Sequence, residues 1–397
     1  MIIYLYYLGA ALLIYLSFKS LRGGIDYLNH FKSEVAKPES NFTPFATIIA
    51  PCKGVDEGLV SNLQALFVQD YPDYEVIFVV DDSEDPAVPV IDDLSRNAAR
   101  PAKMVVAAKA VDSSQKVENL RQAVLHADAC SEVFVFVDSD VRPGRKWLSA
   151  LAATLENENV GAASGYRWFV TERTSFATEL RSAWNASIAS VQGPDTASNF
   201  CWGGSMAVRR DVFERLEIRE NWSGTLSDDF AVTRLMKAAG LPIYFVPKAV
   251  VPSSGSCSFG ELFEFTNRQM KITRVYAQKL WLVSFLGSGL FSLVMVASMA
   301  VLFLFPFGES AWFAALLTLL LVSLLSIGKA WLRAKAVRLV LPEKQKALDR
   351  QFIFQITLWL FAPAIFFINC TIALFSRRII WRGTEYEMIS PFKTKVL

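Results

Sequence analysis

Apolar and polar positions change rhythm several times along the chain. Residues 2 to 18, IIYLYYLGAALLIYLSF, form an unbroken apolar run followed at once by Lys19 and Arg22. With no small-residue cleavage site after it, the run predicts a helix that anchors the chain in a bilayer. Residues 23 to 44 turn polar and carry Pro38 and Pro44, the texture of a linker. From Phe45 the short apolar runs FATIIA, YEVIFVV, KMVVAA, EVFVFV and VGAASG alternate with stretches of helical length and charge pattern. That alternation predicts βα units and a largely parallel sheet.

Past Pro252 the rhythm changes again. In FGELFEFTNRQMKITRVYAQKLW, Phe259 to Trp281, aromatic and aliphatic residues share one side with Arg268, Lys271, Arg274 and Lys279 interleaved. Such a helix lies in the membrane interface and lets its cations snorkel to water. Residues 283 to 305 and 311 to 328 are each long enough to span. The run 352 to 375 carries Pro363 at its middle, which predicts a broken or re-entrant hairpin, with a plain fourth span as the alternative. The expected organisation is an anchor over 1–22, a linker over 23–44, an α/β domain over 45–258, an interfacial helix over 259–282, a membrane domain over 283–376 and a tail over 377–397.

Composition sharpens this picture. Of 397 residues 53% are hydrophobic and the mean hydropathy is +0.31, too apolar for an ordinary soluble enzyme. Forty Lys+Arg against 38 Asp+Glu give a net charge of +2, so no global basic field argues for nucleic acid as a partner. Cys52, Cys130, Cys201, Cys257 and Cys370 have no C-x-x-C spacing, which speaks against a zinc site and a disulfide framework. Basic residues after the first run and in KAWLRAKAVRLVLPEKQKALDR place the α/β domain in the cytoplasm, as in a multi-pass protein of the inner (plasma) membrane.

Candidate chemistry gathers where apolar strands stop. In an open parallel sheet ligands bind beyond the carboxyl ends of the strands. VIFVVDDSEDP puts Asp81 and Asp82 at one such end, and VFVFVDSDVRP puts Asp138 and Asp140 at another. Side chains two residues apart in extended chain point the same way, so the second pair can aim two carboxylates at one point, as Mg²⁺ or Mn²⁺ shared with phosphates would want. Asp-Ser-Asp before Arg-Pro-Gly is equally good turn chemistry. A third cluster, Asp228 and Asp229, opens an amphipathic helix ending at Gly240. One acid there suffices for capping, and the second is available as a general base. Ser205 in WGGSMA is not a nucleophile elbow, and neither His30 nor His126 stands where a catalyst is expected. Gly203 to Arg210 reads as a close backbone approach or a tight strand bend. Trp168, Phe169, Trp184 and Trp222 border an amphiphile or pack as core.

The three acid clusters in this order, with PCKGVDEGLVSNLQALFVQDYPDYEVIF, SEDPA, QKVENL, SDDF and SGSCSFGELFEFTNRQMKITR, make residues 45 to 282 resemble a family 2 type glycosyltransferase of the inverting, nucleotide-sugar-dependent GT-A kind. Within it the chain is most similar to the ceramide glucosyltransferase branch and bacterial lipid-glycosylating relatives. The flanking apolar segments and the tail IIWRGTEY extend that resemblance over nearly the whole chain.

The resemblance implies a Rossmann-like, mostly parallel catalytic domain, a UDP-sugar donor and a membrane-lipid acceptor. It implies that Asp82 contacts the base or ribose, that Asp138 stands by the diphosphate with Asp140 completing a D-x-D for Mg²⁺ or Mn²⁺, and that Asp229 is the catalytic base. Lys116 and Asn119 match a donor-side motif, and Pro51 and Lys53 the entry motif beside the nucleotide. The family's (Q/R)-x-x-R-W element here reads Arg268-Gln-Met-Lys271-Ile272. Lysine keeps the charge but loses the bidentate fork, and isoleucine removes a flat wall beside the acceptor. UDP-glucose and a ceramide-like lipid are the expected substrates. The alternatives are N-acetylglucosamine or another sugar on a hopanoid or diacylglycerol, a processive polysaccharide synthase, and a scaffold that binds nucleotide sugars without turning them over.

Overall fold

In the computed structural model, residues 2–171 and 174–397 are described. The five apolar runs become β1 (Ala46–Pro51), β2 (Tyr74–Val80), β3 (Ala102–Val106), β4 (Val133–Val137) and β5 (Ala162–Ser164). With β7 (Ser205–Arg209) and β8 (Ile243–Phe245) they form a seven-stranded sheet in the order β3-β2-β1-β4-β7-β5-β8. Every pairing is parallel except the two made by β7, which runs against β4 and β5. A separate parallel pair, β6 (Arg167–Phe169) and β9 (Val251–Ser253), stands beside it.

Both faces of the sheet are covered, which is why its strands read as continuous apolar runs rather than alternations. Ile48, Val76, Phe78, Val133 and Val135 pack with Leu63, Trp147 and Leu151 on one face. Their neighbours Ile49, Ile77, Val79, Phe134 and Phe136 pack with Val117, Leu120 and Trp222 on the other. Gly165, just beyond β5, shows how tightly the sheet closes: a Cβ there would lie 1.9 Å from the Ala249 carbonyl oxygen and 2.5 Å from Ser205 Oγ. Gly165→Ala is expected to destabilise the protein by about 3 kcal/mol, seen as a lower thermal midpoint in detergent. An unchanged midpoint would show that the β5–β7 junction yields.

The first helix, α1, runs over Ile2–Ala36 and so continues through most of the segment read as a linker. The reason is packing: Tyr27, Leu28 and Phe31 are buried against Phe245, Val250 and Val337. His30 is buried there too, its Nε2 3.0 Å from the Phe245 carbonyl oxygen. The helices needed to place the site are α2 (Gln115–Ala123), α3 (Phe176–Ala189), α4 (Asp228–Ala238), α5 (Phe259–Tyr276), α6 (Gln278–Leu304), α7 (Ser310–Val340), α8 (Gln345–Thr357) and α9 (Ala362–Phe375). Among the described residues α1, α6 and α7 are long and apolar enough to cross a membrane.

The run around Pro363 is broken, with Pro342–Leu360 and Ala362–Phe375 bent by 56° to one another. Beyond it three antiparallel strands, β10 (Arg378–Trp381), β11 (Thr384–Ser390) and β12 (Lys393–Val396), pack on the α/β domain. Tyr386, Ile379 and Met388 share a buried cluster with Leu226, Ile272 and Val275. The end of α7 is likewise buried against Tyr166 and Trp168 of the α/β domain. If α6 and α7 go out and back, the bent pair must return to the side it left, since the strands after it touch that domain.

Two of the cations interleaved along α5 have partners within the protein. Ser258 and Glu261 form a capping box at its start. Arg274 then donates to the Ala373 carbonyl at the end of α9, and Lys271 Nζ donates to the Arg378 carbonyl at 2.7 Å. Unpaired carbonyls at a helix end attract cations, which accounts for Arg274, and the two side chains together fasten α5 to α9 and to the start of β10.

Candidate active site

At the carboxyl edge of the sheet, β1, β2 and β4 end side by side. Because β7 runs the other way, the turn before it, Trp202-Gly203-Gly204, arrives at the same edge, with Ser205 paired to Val137. A cavity of about 580 Å³ opens there. Of the residues singled out from sequence, Pro51, Lys53, Lys116, Asn119, Asp138, Asp140, Asp229 and Arg268 line it.

Asp138 and Asp140 do converge. Arg167 Nη2 lies 3.3 Å from Asp138 Oδ2 and 2.9 Å from Asp140 Oδ1. The other Asp138 oxygen, Oδ1, is 2.8 Å from Lys116 Nζ, which also reaches Asp228 Oδ1 at 3.2 Å. Burial works against charge on Asp138, yet Lys116 and Arg167 hold its carboxyl below the usual range. For Asp140 burial prevails over Arg167 and, with Asp138 adding to it, pushes the carboxyl up. Burial also opposes the Lys116 ammonium, but Asp138, Asp228 and Asp229 keep it charged well above its ordinary range.

The two acids opening α4 have separate surroundings. Asp228 is 2% exposed; burial, with Asp229 and Asp138 nearby and Lys116 opposing, pushes its carboxyl up to about 6. Its Oδ2 has no hydrogen-bond partner. Gly203 makes room for it, since a Cβ there would lie 1.9 Å from Asp228 Oδ2 and 3.1 Å from Lys116 Nζ. Asp229 is partly open to the cavity. Its Oδ1 accepts from Ser227 Oγ and from the Phe230 amide at 2.7 Å, while Oδ2 has only the Gly203 amide at 3.4 Å. The acid that capping left unexplained is thus Asp228, which pairs with Lys116, and Asp229 keeps a carboxylate oxygen for a ligand.

Two of the singled-out residues stand apart. Asp82 is half-exposed and does not line the cavity; its Oδ1 accepts from the Glu84 amide at 3.1 Å. Its neighbour Asp81 is buried and binds Lys53 at 3.2 Å and Lys109 at 3.1 Å. Lys271 is turned to the tail, as described. Of the aromatics, Phe169 and Trp184 line the cavity. Trp168 and Trp222 are core, the latter donating from Nε1 to the Asp228 carbonyl at 3.0 Å. Ser205 is buried, bonded to Trp147 Nε1 and to the Ala249 carbonyl.

Sequence reading did not find Arg167, for nothing in YRWF marks one arginine as the partner of two aspartates. Nor does it give roles to Trp381 and Arg382, which also line the cavity, although both stand in the tail motif IIWRGTEY.

Among the described residues no cluster of three or more His, Cys, Asp or Glu has the geometry of a metal site. The donor set nevertheless fits a divalent cation shared with a ligand. Oxygens of two different carboxylates already meet at one cationic nitrogen, and Mg²⁺ or Mn²⁺ needs few protein carboxylates when phosphates and water complete its shell.

An α/β domain with a crevice lined by acids and arginines is here joined to helices long and apolar enough to cross a membrane. The chain belongs to glycosyl transferase family 21, whose model matches residues 12–391. Similar proteins include the ceramide glucosyltransferase of Candida albicans (strain SC5314 / ATCC MYA-2876), 31% identical over 108 residues, 24% of this chain and 20% of that protein. Ceramide glucosyltransferase 3 of Caenorhabditis elegans is 21% identical over 238 residues, 59% of this chain and 51% of that protein. The chain therefore spans about a fifth and about half of the curated relatives it matches. A solved structure of the mannosyltransferase PcManGT from Pyrobaculum calidifontis, in complex with GDP-Man and Mn²⁺, matches 92% of this chain and 99% of its own, at 16% identity and a TM-score of 0.47.

Proposed function

We propose that the protein transfers one hexose from a UDP-sugar to the hydroxyl of a membrane lipid, with inversion at the anomeric carbon. The observation that carries this reading is the juxtaposition, in one cavity, of the Lys116–Asp138–Arg167–Asp140 charge cluster with Asp229, whose Oδ2 meets the Gly203 amide at a long 3.4 Å. Glucose as the sugar and a ceramide-like lipid as the acceptor are supported by the names of the two relatives above. Trp184 on the cavity wall stacks on Phe366 of α9, so an apolar helix packs directly behind the cavity, which suits an acceptor delivered from the bilayer. The α/β domain then faces the cytoplasm, where basic flanks retain it.

In the proposed reaction the lipid oxygen attacks the anomeric carbon as the bond to the diphosphate breaks, and the hydroxyl proton passes to Asp229. Attack opposite the leaving group turns an α-linked donor into a β-linked product in one step, without an enzyme nucleophile. Lys116, Arg167 and Arg268 face the region where negative charge grows on the diphosphate, and preorganised cations in a low-dielectric pocket stabilise it strongly. Mg²⁺ or Mn²⁺ held by Asp138 and Asp140 would add Lewis-acid neutralisation of that charge. Asp228 keeps Lys116 oriented.

Detergent-purified protein incubated with UDP-sugars and lipid acceptors, with Mn²⁺ or Mg²⁺ and with chelator, is expected to yield a β-linked monoglycosylated lipid whose formation falls at least ~100-fold on chelation. Polymer as product would make the protein a synthase. Undiminished transfer in chelator would remove the cation from Asp138 and Asp140.

A further inference from the structure

The cations around the cavity are claimed with unequal strength. Lys116 and Arg167 each hold two carboxylates, and Lys53 holds the buried Asp81. Among the described residues the carboxylate paired with Arg268 is that of Glu264, 3.8 Å away and more than half-exposed, and the Arg268 guanidinium stands 5.6 Å from the centre of the Trp381 ring. The next residue, Arg382, makes a two-pronged pair with Asp56, on the loop that follows β1; Nη1 to Oδ1 is 2.7 Å. Burial, with Arg167 and Arg382 close by, lowers the Arg268 pKa to about 10, and Asp138 and Asp140 both act on Arg382. Guanidiniums therefore gather on the open side of the acid pair, where an anion would relieve their mutual repulsion.

Arg382 is held there by design of the backbone. Trp381 pairs with Thr384, so Arg382 and Gly383 form the two-residue turn joining β10 to β11, with φ of 51° and 80°. Turns of this kind favour Asn-Gly, and arginine in the left-handed region is uncommon. An uncommon residue kept in such a conformation points to a use for its side chain. The hairpin beneath it is rigidly seated. Tyr386 Oη accepts from the amide of Gln115, the residue before Lys116, at 3.2 Å. Phe392 lies under Arg234, 4.1 Å from ring centre to guanidinium, and its carbonyl oxygen would be 2.3 Å from a Cβ at Gly224.

We propose that the C-terminal hairpin is part of the donor pocket: Arg382 at its turn, with Arg268 beside Trp381, binds the diphosphate of a nucleoside diphosphate and exchanges Asp56 for phosphate oxygens. The inference rests on the transfer reading and extends it to a segment more than 300 residues from Asp56. A diphosphate is favoured over a lipid headgroup because Arg382 faces Asp138, Asp140 and the β1 loop, the side on which Lys53, Lys116 and Asn119 stand. Planar, two-pronged donation suits phosphate as it suits carboxylate. Asp56 is then a resident competitor that keeps the arginine aimed until the donor arrives.

Calorimetric titration of the full chain in detergent with UDP, and in parallel with uridine, tests this. Arg382→Gln is expected to weaken UDP about 10- to 100-fold and uridine hardly at all, the value of one charge-assisted contact. Arg382→Lys falls between. Asp56→Asn is expected to tighten UDP several-fold, because a competitor is gone while the hairpin stays docked; weakening there as large as in Arg382→Gln would make the pair a structural tie and overturn the proposal. Equal UDP affinity in wild type and Arg382→Gln would also overturn it while leaving transfer intact. Wild type that binds no UDP would instead remove the transfer reading on which the inference stands.

Discussion

Replacing Asp229 by asparagine is expected to lower the rate of lipid glycosylation about 10³-fold while leaving UDP affinity within about twofold of wild type. Asn keeps a carbonyl oxygen for the Ser227 hydroxyl and the Phe230 amide, so the start of α4 loses little. What it loses is the capacity of the open oxygen to take a proton, and general bases are worth roughly 10²–10⁴ in rate. Donor binding should survive because the cations proposed to meet the diphosphate lie on other elements: Lys116 on α2, Arg167 on β6, Arg268 on α5. The informative pattern is a fall in kcat at nearly constant donor KM. Retention of more than a tenth of wild-type kcat would move the base elsewhere, with Asp228 the neighbour to be examined next. The same substitution at Asp228 should behave differently, weakening the donor as well, since Lys116 would lose one of its two partners.

The strands were legible because the sheet is buried on both faces, and an apolar run of five to seven residues has few other uses. The acid pairs were legible for the complementary reason, that carboxylates ending such a run must find cations or a ligand. Which cation was not legible. Arg167 sits on a three-residue strand whose partner, β9, lies more than 80 residues further on, and local pattern carries no record of that pairing. Asp81 and Asp82 illustrate the limit within a single pair, for one faces inward to two lysines and the other outward, a choice set by how the chain leaves β2. The bonds of Lys271 and Arg274 to carbonyls of the tail and α9 were not legible, because an amphipathic helix with interleaved arginine and lysine has the same periodicity whatever its cations meet. The hairpin's role depends on contacts separated by 271 residues to Gln115 and 326 to Asp56. Alternation of Tyr386 and Met388 signals one buried face, and nothing in it says what covers that face.

Lys116→Met is expected to have the broadest effect of any single change, removing donor binding and destabilising the fold in a pH-dependent way. The lysine is 15% exposed and answers Asp138 and Asp228 together, and stripping one partner from a buried pair costs about 3–5 kcal/mol when the charge left behind cannot adapt. Here it can adapt by taking a proton. Asp228 already has its carboxyl raised from 3.8 to about 6, with Lys116 opposing the rise; without Lys116 it goes higher. An acid whose folded pKa is raised keeps its proton longer in the folded state than in the unfolded chain, so stability declines as pH climbs from the unfolded value through the folded one. In wild type that decline ends near pH 6, and in the variant it continues toward neutrality and beyond. The gap between the thermal midpoints of the two proteins should therefore be smallest near pH 5, where Asp228 is largely protonated in both and the loss is that of the Asp138 pairing, and should widen steadily up to pH 8. A gap of the same size at both ends would mean that Lys116 does not act through Asp228, and its pairing with that acid would carry no weight in the charge cluster.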